Sequence, residues 1–335
     1  MMKNKWKQKY QIGLILCSIF IFLLCCGCGK STESQLSQDA YEVMDSQGTV
    51  VKIPHKPNKI LTLSMHTDII ALGMVTTDKM VGVNALLDDP YSSNIVEKAK
   101  KIPVKIKDPS PEQVFALKPD IIIASGWTPA DTVSSLRDLG FPVIVTPTVA
   151  SLADTQATIK LIAQSLQEEE KGDLILAKMK EELADIQAKV EQIPDDQRKK
   201  IVLVSLMTTY GGSGCTFDAM CNYAGVINGV AAAGIKNGQV LTKEMIVGIN
   251  PDIFLMPSYQ DHGTYDVGEF NQEYLNDPSL QTVTAIKNNG LRYPREGYIY
   301  NASQDFVYGV REIAYAVYGD AFAQPANQHI SFSGE

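Results

Sequence analysis

Two stretches of the chain, residues 111–123 and 243–255, carry one pattern of apolar and polar positions. In each, a Ser or Thr (Ser110, Thr242) stands two residues ahead of a Glu (Glu112, Glu244) and apolar residues follow at helical spacing. A Pro-Asp pair (Pro119-Asp120, Pro251-Asp252) then ends the run before a β-branched or apolar stretch begins. The hydroxyl residue caps a short helix, the proline stops it, and the apolar stretch is a buried strand. Each copy is therefore a helix feeding a strand. One copy lies before the middle of the chain and one well after it, which predicts two similar α/β lobes with a cleft between them.

The remaining periodicities fit that frame. Residues 41–44 and 49–53 flank Asp45-Ser46-Gln47-Gly48, a hairpin signal. Short apolar runs at 59–63, 80–83, 121–125 and 143–146 alternate with helical patterns at 67–72, 112–117 and 132–139, as in a parallel sheet. From Leu152 the pattern is helical, interrupted at 168–172, and residues 173–193 read as one amphipathic helix of about 20 residues, roughly 30 Å long. No Gly- or Pro-rich linker occurs here, so that helix is expected to be a strut between lobes rather than a surface helix of the first. The second lobe has a strand at 201–204, the loop 208–214, a helix at 217–224, a strand at 253–256 and an irregular stretch at 257–270. Helices are expected at 280–287 and 303–318, and a loose tail after Asp320. The expected divisions are residues 41–168 for the first lobe, 169–193 for the bridging helix, 194–320 for the second lobe and 321–335 for the tail. The fold class is α/β, two Rossmann-like lobes joined by a single long helix.

The amino-terminal region changes the picture of where the protein works. Lys3, Lys5, Lys7 and Lys9 precede an apolar run at 12–26 with no acid in it. At about 15 residues the run is short for a membrane span and reads as the core of an export signal, residues 1–27. Cys28 follows Gly27 at its end, before a polar stretch, as in the lipobox of a bacterial lipoprotein. Cys25 stands where such boxes usually carry Leu, which leaves Cys26 as a second candidate. Residues 28–40 are Ser, Thr, Gln and Glu with little to bury, a flexible tether from a lipid anchor. The expected location is the extracytoplasmic face of the cell membrane. Loss of four lysines and no acid leaves 26 basic against 38 acidic side chains, a net of −12, which excludes a nucleic-acid partner. Cys215 and Cys221 either pair or are two buried thiols; a helix from Thr216 points them apart.

Residues 41–319 resemble the substrate-binding lipoproteins of ABC importers for iron-siderophore complexes, haem and cobalamin. The resemblance is carried by residues 59–64 with Ala71-Leu72-Gly73, by 112–120, by Gly212-Ser213-Gly214 through Ala224-Gly225, and by Asp277-Pro278 through Asn288-Asn289-Gly290. It implies two lobes bridged by one long helix with limited hinge closure. It also implies a permease dimer with its ATPase subunits as partner, a monomeric binding protein, and no cofactor beyond the transported ligand. In such proteins Glu112 and Glu244 correspond to surface carboxylates, one per lobe, that pair with arginines of the permease. Helix-dipole stabilisation of a first-turn Glu is the structural alternative.

Ligand residues are expected on loops after strand ends that face the cleft. In the first lobe these are Ser64, Met65, His66 and Thr67, with Trp127 after the strand at 121–125. In the second they are Thr209, Tyr210, Tyr259 and His262, with Tyr300. Aromatic and hydroxyl groups with few charges suit a large, flat, partly apolar metal chelate. His66 and His262, two of only four His, are candidate axial ligands of a chelated metal. Anionic siderophores need Arg or Lys clamps, which the first-lobe loops lack. Gly211-Gly212-Ser213-Gly214-Cys215 misses the last Gly of a nucleophile elbow, so no enzyme is expected. A free divalent-metal binder and an adhesive lipoprotein are the rival readings.

Overall fold

The computed structural model describes residues 39–107, 109–258 and 266–335. The export signal, Cys26, Cys28 and nearly all of the tether lie outside the described residues, as do Tyr259 and His262. Among the described residues no helix is long and apolar enough to cross a membrane.

Both lobes are built on parallel sheets. The first has strands β3 (Ile60–Thr62), β4 (Met80–Asn84), β5 (Lys105–Ile106), β6 (Ile121–Ala124) and β7 (Val143–Val145) in the order β5-β4-β3-β6-β7, the doubly wound Rossmann order. The second has β8 (Lys200–Leu203), β9 (Ile227–Asn228), β10 (Ile253–Leu255) and β11 (Leu291–Arg292) in the order β11-β10-β8-β9. The hairpin of β1 (Tyr41–Met44) and β2 (Val50–Ile53) joins the first lobe through Ser46 N–H to the Val145 carbonyl and an Arg137–Asp45 ion pair of 2.6 Å.

The repeated sequence pattern is a repeated structure. Helix α2 (Pro111–Leu117) leads into β6 as α7 (Lys243–Ile249) leads into β10. Ser110 accepts from Gln113 N–H and Thr242 from Met245 N–H. Both helices end on a residue in the left-handed region, Lys118 at φ 49° and Asn250 at φ 48°. The Pro-Asp pair then does more than stop the helix. Asp120 Oδ2 accepts from Lys59 N–H at 2.9 Å and Asp252 Oδ2 accepts from Lys200 N–H at 2.8 Å. Each aspartate thus brackets the start of the neighbouring strand and sets its register.

Side chains alternate along these strands because both sheet faces are covered. Ile60, Ile121, Ile123 and Ile144 of the first sheet face a central core, and so do Ile201, Leu203, Ile253 and Leu255 of the second. The other set, including Leu61, Ile122 and Val145, packs under α2 and α3 (Ala130–Asp138) in an outer core, and Val202 and Phe254 do likewise under α7. The central core therefore belongs to both lobes. It holds α1 (Met65–Leu72), α4 (Leu152–Leu166), α5 (Glu169–Val190) and α6 (Thr216–Tyr223).

Helix α5 is the expected strut. It has 22 residues and starts at Glu169, the first residue of the expected bridging segment, so most of the interruption read at 168–172 is helical. Gly172 sits within it rather than ending it, because a Cβ there would lie 2.6 Å from Ala163 Cβ: the glycine lets α5 pack closely on α4. Its buried stripe, Ile175, Met179, Leu183, Ile186 and Val190, has the spacing of one helix face. That face meets α4 of the first lobe, and α6 and the last long helix, α9 (Phe306–Tyr318), of the second. Arg311 of α9 pairs with Glu182 at 3.0 Å and Asp185 at 2.9 Å on α5.

Three expectations are corrected. Residues 257–270 are not irregular throughout: Asp266 caps helix α8 (Val267–Leu275) by accepting from Glu269 N–H. Residues 280–287 are two separate turns, Pro278–Leu280 and Thr284–Lys287, too short a run to bury a helical face. The segment 321–335 is not loose. Phe322 and Ile330 are 2% and 3% exposed, and the chain returns from the second lobe to the first, where Phe332 N–H donates to the Gly73 carbonyl. Cys215 and Cys221 are both free and buried.

Candidate functional site

A cleft of about 580 Å³ opens between the lobes. The first lobe contributes Met65, His66 and Ile69 from α1, with Leu86 and Ser92 from the loop after β4. The second contributes Ser205, Leu206 and Met207 after β8, and Glu296, Gly297, Tyr300, Asn301 and Ala302. The strand-end contributions follow from the topology. In each sheet the chain reverses winding direction beside its first-formed strand, between β3 and β6 in the first lobe and between β8 and β10 in the second, and the diverging loops leave a crevice at their carboxyl ends. The floor is where the lobes touch: Gly297 N–H donates to the Tyr91 carbonyl at 3.0 Å, and Asn301 Nδ2 donates to Asn94 Oδ1 at 3.3 Å.

His66 is the chemically distinctive group of this lining. Its side chain is 6% exposed. Nδ1 lies 3.1 Å from Ser64 Oγ, and Nε2 is buried with no hydrogen-bond partner. Leaving such an atom unpaired costs on the order of 1–3 kcal/mol, which a partner arriving from the cleft would recover. Burial pushes the imidazole pKa down to about 4, so the ring is neutral at physiological pH and keeps a lone pair on one nitrogen. The Trp127 ring stands edge-on to it with centroids 4.8 Å apart.

That depressed pKa gives a stability signature. The unfolded chain takes up a proton on His66 near the ordinary value of 6.5, whereas the folded protein resists protonation until about pH 4. The contribution is therefore fully present above pH 6.5 and lost as pH falls toward 4, about 3 kcal/mol in all. Denaturant melts across this window are expected to show a smaller loss in His66→Gln than in the wild type. Equal losses would contradict a buried, neutral ring.

The expected ligand residues separate into layers. Met65, His66 and Tyr300 line the cleft. Ser64 and Trp127 touch His66 from behind and beside it. Tyr210 backs Tyr300, ring centroids 5.2 Å apart, with its hydroxyl 2.8 Å from Thr216 Oγ1; Tyr300 itself donates to Ser205 Oγ at 2.9 Å. Burial raises both phenol pKa values, so both stay protonated. Thr67 and Thr209 do not reach the cleft. Thr67 is fully buried because α1 begins at Met65, two residues earlier than expected, which turns position 67 inward. Thr209 is exposed and its carbonyl is taken up by Gly238 N–H.

The contributions of Leu86 and of residues 205–207 lay within reach of the strand-end rule, since both follow strands. Those of residues 296–302 did not, since they enter by lobe-to-lobe contact. Gly297 permits this approach: a Cβ there would lie 3.0 Å from the Ser93 carbonyl carbon. Beneath α1, buried Asp68 accepts from Thr62 Oγ1 and from Asn84 N–H, so fixing the loop that carries Leu86; burial raises its pKa well above the usual carboxylate range.

No Lys or Arg is among the described lining residues, and Glu296 is the one acid. Arg295 is engaged with Glu312 and Arg292 with the Ala316 carbonyl. Among the described residues no group of three or more His, Cys, Asp or Glu converges as a site for a bare metal ion would require.

Glu112 and Glu244 are exposed in the first turns of α2 and α7 and do not line the cleft. Each carboxylate pKa is lowered by the residue's own backbone N–H and by the capping hydroxyl, Ser110 or Thr242, so both are ionised. Each helix runs back toward the start of the strand it feeds. Its first turn is therefore at the carboxyl end of its sheet, the end on which the cleft lies.

Comparison with known proteins gives concordant matches. The family model described as periplasmic binding protein matches residues 60–295. An uncharacterized ABC transporter substrate-binding lipoprotein of Bacillus subtilis (strain 168), YvrC, is 26% identical over 335 residues, covering 95% of this chain and all of that protein. Among solved structures, the molybdate-bound periplasmic binding protein MolA of Haemophilus influenzae aligns with TM-score 0.68 at 20% identity over 84% of this chain and 92% of that one. The apo form of the periplasmic heme-binding protein RhuT from Roseiflexus sp. RS-1 aligns with TM-score 0.66 at 23% identity over 79% of this chain and 99% of that one.

Proposed function

The chain belongs to the periplasmic binding protein family, the extracytoplasmic substrate-binding components of ABC importers, and from that premise we propose that its cargo is a metal chelate. The cargo class is haem or cobalamin, bound between the lobes with His66 Nε2 directed at the axial face of the metal, or an uncharged ferric siderophore held by the apolar wall. Cys28 is the proposed lipid attachment, and Glu112 and Glu244 the contacts to the permease that acts with an ATPase.

One observation carries the choice of cargo: a buried, neutral imidazole with an unpartnered nitrogen in a cleft whose apolar part is Met65, Ile69, Leu86, Leu206, Met207 and the Tyr300 ring. An imidazole lone pair binds the open axial position of haem iron or cobalt, and the apolar wall suits the flat body of a macrocycle. RhuT's haem fits such a wall. MolA's molybdate, a small dianion, does not fit a described lining that offers Glu296 and no cation.

The test is a binding panel of hemin, aquocobalamin, a neutral ferric hydroxamate siderophore and molybdate, followed by absorbance and thermal shift. At saturating concentration one chelate is expected to raise the melting temperature, and His66→Ala to weaken that chelate at least tenfold. Binding of molybdate alone, or of no member, would remove the proposal.

A further inference from the structure

Helix α1 begins with a serine that forgoes its usual task. Ser64 is the N-cap residue, in extended conformation, yet its hydroxyl caps no backbone N–H of the helix. Instead Ser64 Oγ lies 3.1 Å from His66 Nδ1 and 2.8 Å from Thr67 Oγ1. Thr67 Oγ1 in turn lies 2.9 Å from the Ser64 carbonyl oxygen.

The protons in this cluster can be placed by elimination. The carbonyl oxygen carries none, so the 2.9 Å contact is a hydrogen bond only if the single Thr67 hydroxyl proton points there. Thr67 Oγ1 then has only lone pairs to offer Ser64, whose own proton must fill the 2.8 Å contact. That leaves a lone pair of Ser64 Oγ facing His66, so Nδ1 is the donor. The opposite ordering leaves two proton-free oxygens 2.9 Å apart. With its proton on Nδ1, His66, a residue of the cleft lining, carries its lone pair on Nε2, its buried atom without a partner. Trp127 packs against the ring from the side.

We infer that Ser64 and Thr67 are positioning residues: a directed relay, Nδ1–H to Ser64 to Thr67 to the Ser64 carbonyl, fixes His66 in the tautomer that presents a lone pair to the cleft. The site thereby selects a cargo with an electron-pair acceptor, a chelated metal centre or a hydrogen-bond donor, over one that presents only acceptors. Thr67, fully buried and out of reach of any cargo, acquires a role in recognition through its single hydroxyl proton. The tautomer follows from the cluster alone, while its use for a metal rests on the proposed function.

The relay is tested on the full ligand-free protein by nitrogen-15 NMR of the imidazole at pH 7. His66 is expected to show a protonated Nδ1 and a lone-pair Nε2. Thr67→Val keeps the shape and removes the hydroxyl; the Ser64 proton then turns to Nδ1 and the tautomer reverses. Hemin or aquocobalamin, whichever the wild type binds, is expected to weaken about 10- to 100-fold in that variant, and Thr67→Ser to restore both spectrum and affinity. A wild-type Nε2–H, or a spectrum unmoved by Thr67→Val, overturns the relay even if a chelate binds. The expected spectra in a protein that binds no chelate leave the relay standing and remove the metal reading instead.

Discussion

Replacing both Glu112 and Glu244 by arginine is expected to reduce uptake in whole cells to background, at least a hundredfold, while cargo affinity of the purified protein changes less than twofold. The two carboxylates occupy the same position in the two halves of a duplicated structure. Both are exposed, both are ionised, and both stand at the cleft end of their sheets on helices whose buried residues, Val114 and Ile246, face the outer cores. They thus form a symmetric pair, as the proposed docking to a two-fold permease would require. Reversing their charge converts attraction into repulsion at the docking step without touching the cleft. Single replacements should cost roughly tenfold each, more at low ionic strength than at high, because the steering term is screened within about 10 Å at 0.1 M salt. Uptake within twofold of wild type in the double variant would show that these residues serve their helices and nothing more.

Removal of residues 321–335 is expected to abolish folding at 37 °C, or to lower the melting temperature by more than 10 °C. The segment buries Phe322 and Ile330, and loss of large apolar contacts of this kind costs about 2–5 kcal/mol each. It also supplies part of the hydrogen bonding of buried and half-buried groups. Asp305, fully buried, accepts from Ile330 N–H at 2.9 Å and pairs with His329 Nδ1 at 2.8 Å, while Gln304 Nε2 donates to the Ile330 carbonyl at 3.1 Å. Lys98 Nζ donates to Ser333 Oγ at 2.7 Å. Such a sum approaches the whole stability of an ordinary domain, about 5–15 kcal/mol. Thermal melts of the shortened protein decide it, and a melting point within 2 °C of wild type would mean the contacts are ornamental.

These two expectations differ in how far the sequence pointed to them. The duplicated helix and strand could be read directly, because capping hydroxyl, helical spacing, Pro-Asp stop and β-branched run are local signals that agree with one another. The strut could be read for the same reason, although Gly172 looks like a break in its periodicity when its neighbour across the contact, Ala163, is unknown. The tail has no helical or strand periodicity, which reads as loose; two apolar side chains and a set of backbone and polar pairs to distant residues are enough to hold it, and nothing local marks them. In the cleft, strand ends led to Met65 and His66. Thr67 was placed among the ligand residues when its hydroxyl in fact works one layer back, a distinction set by where α1 starts. Residues 296–302 have no local mark at all, since the fold brings them to the cleft by contact between lobes.

The returning segment has a bearing on the order of assembly. Thr77 N–H and hydroxyl both meet the Glu335 carboxylate across 258 positions of sequence. A polypeptide emerging amino end first therefore exposes the hollow beside Gly73 until the second lobe, the strut and α9 have all appeared. The first lobe is begun earliest and sealed among the last, so its completion waits on a closure of very high contact order rather than on local helix or strand formation.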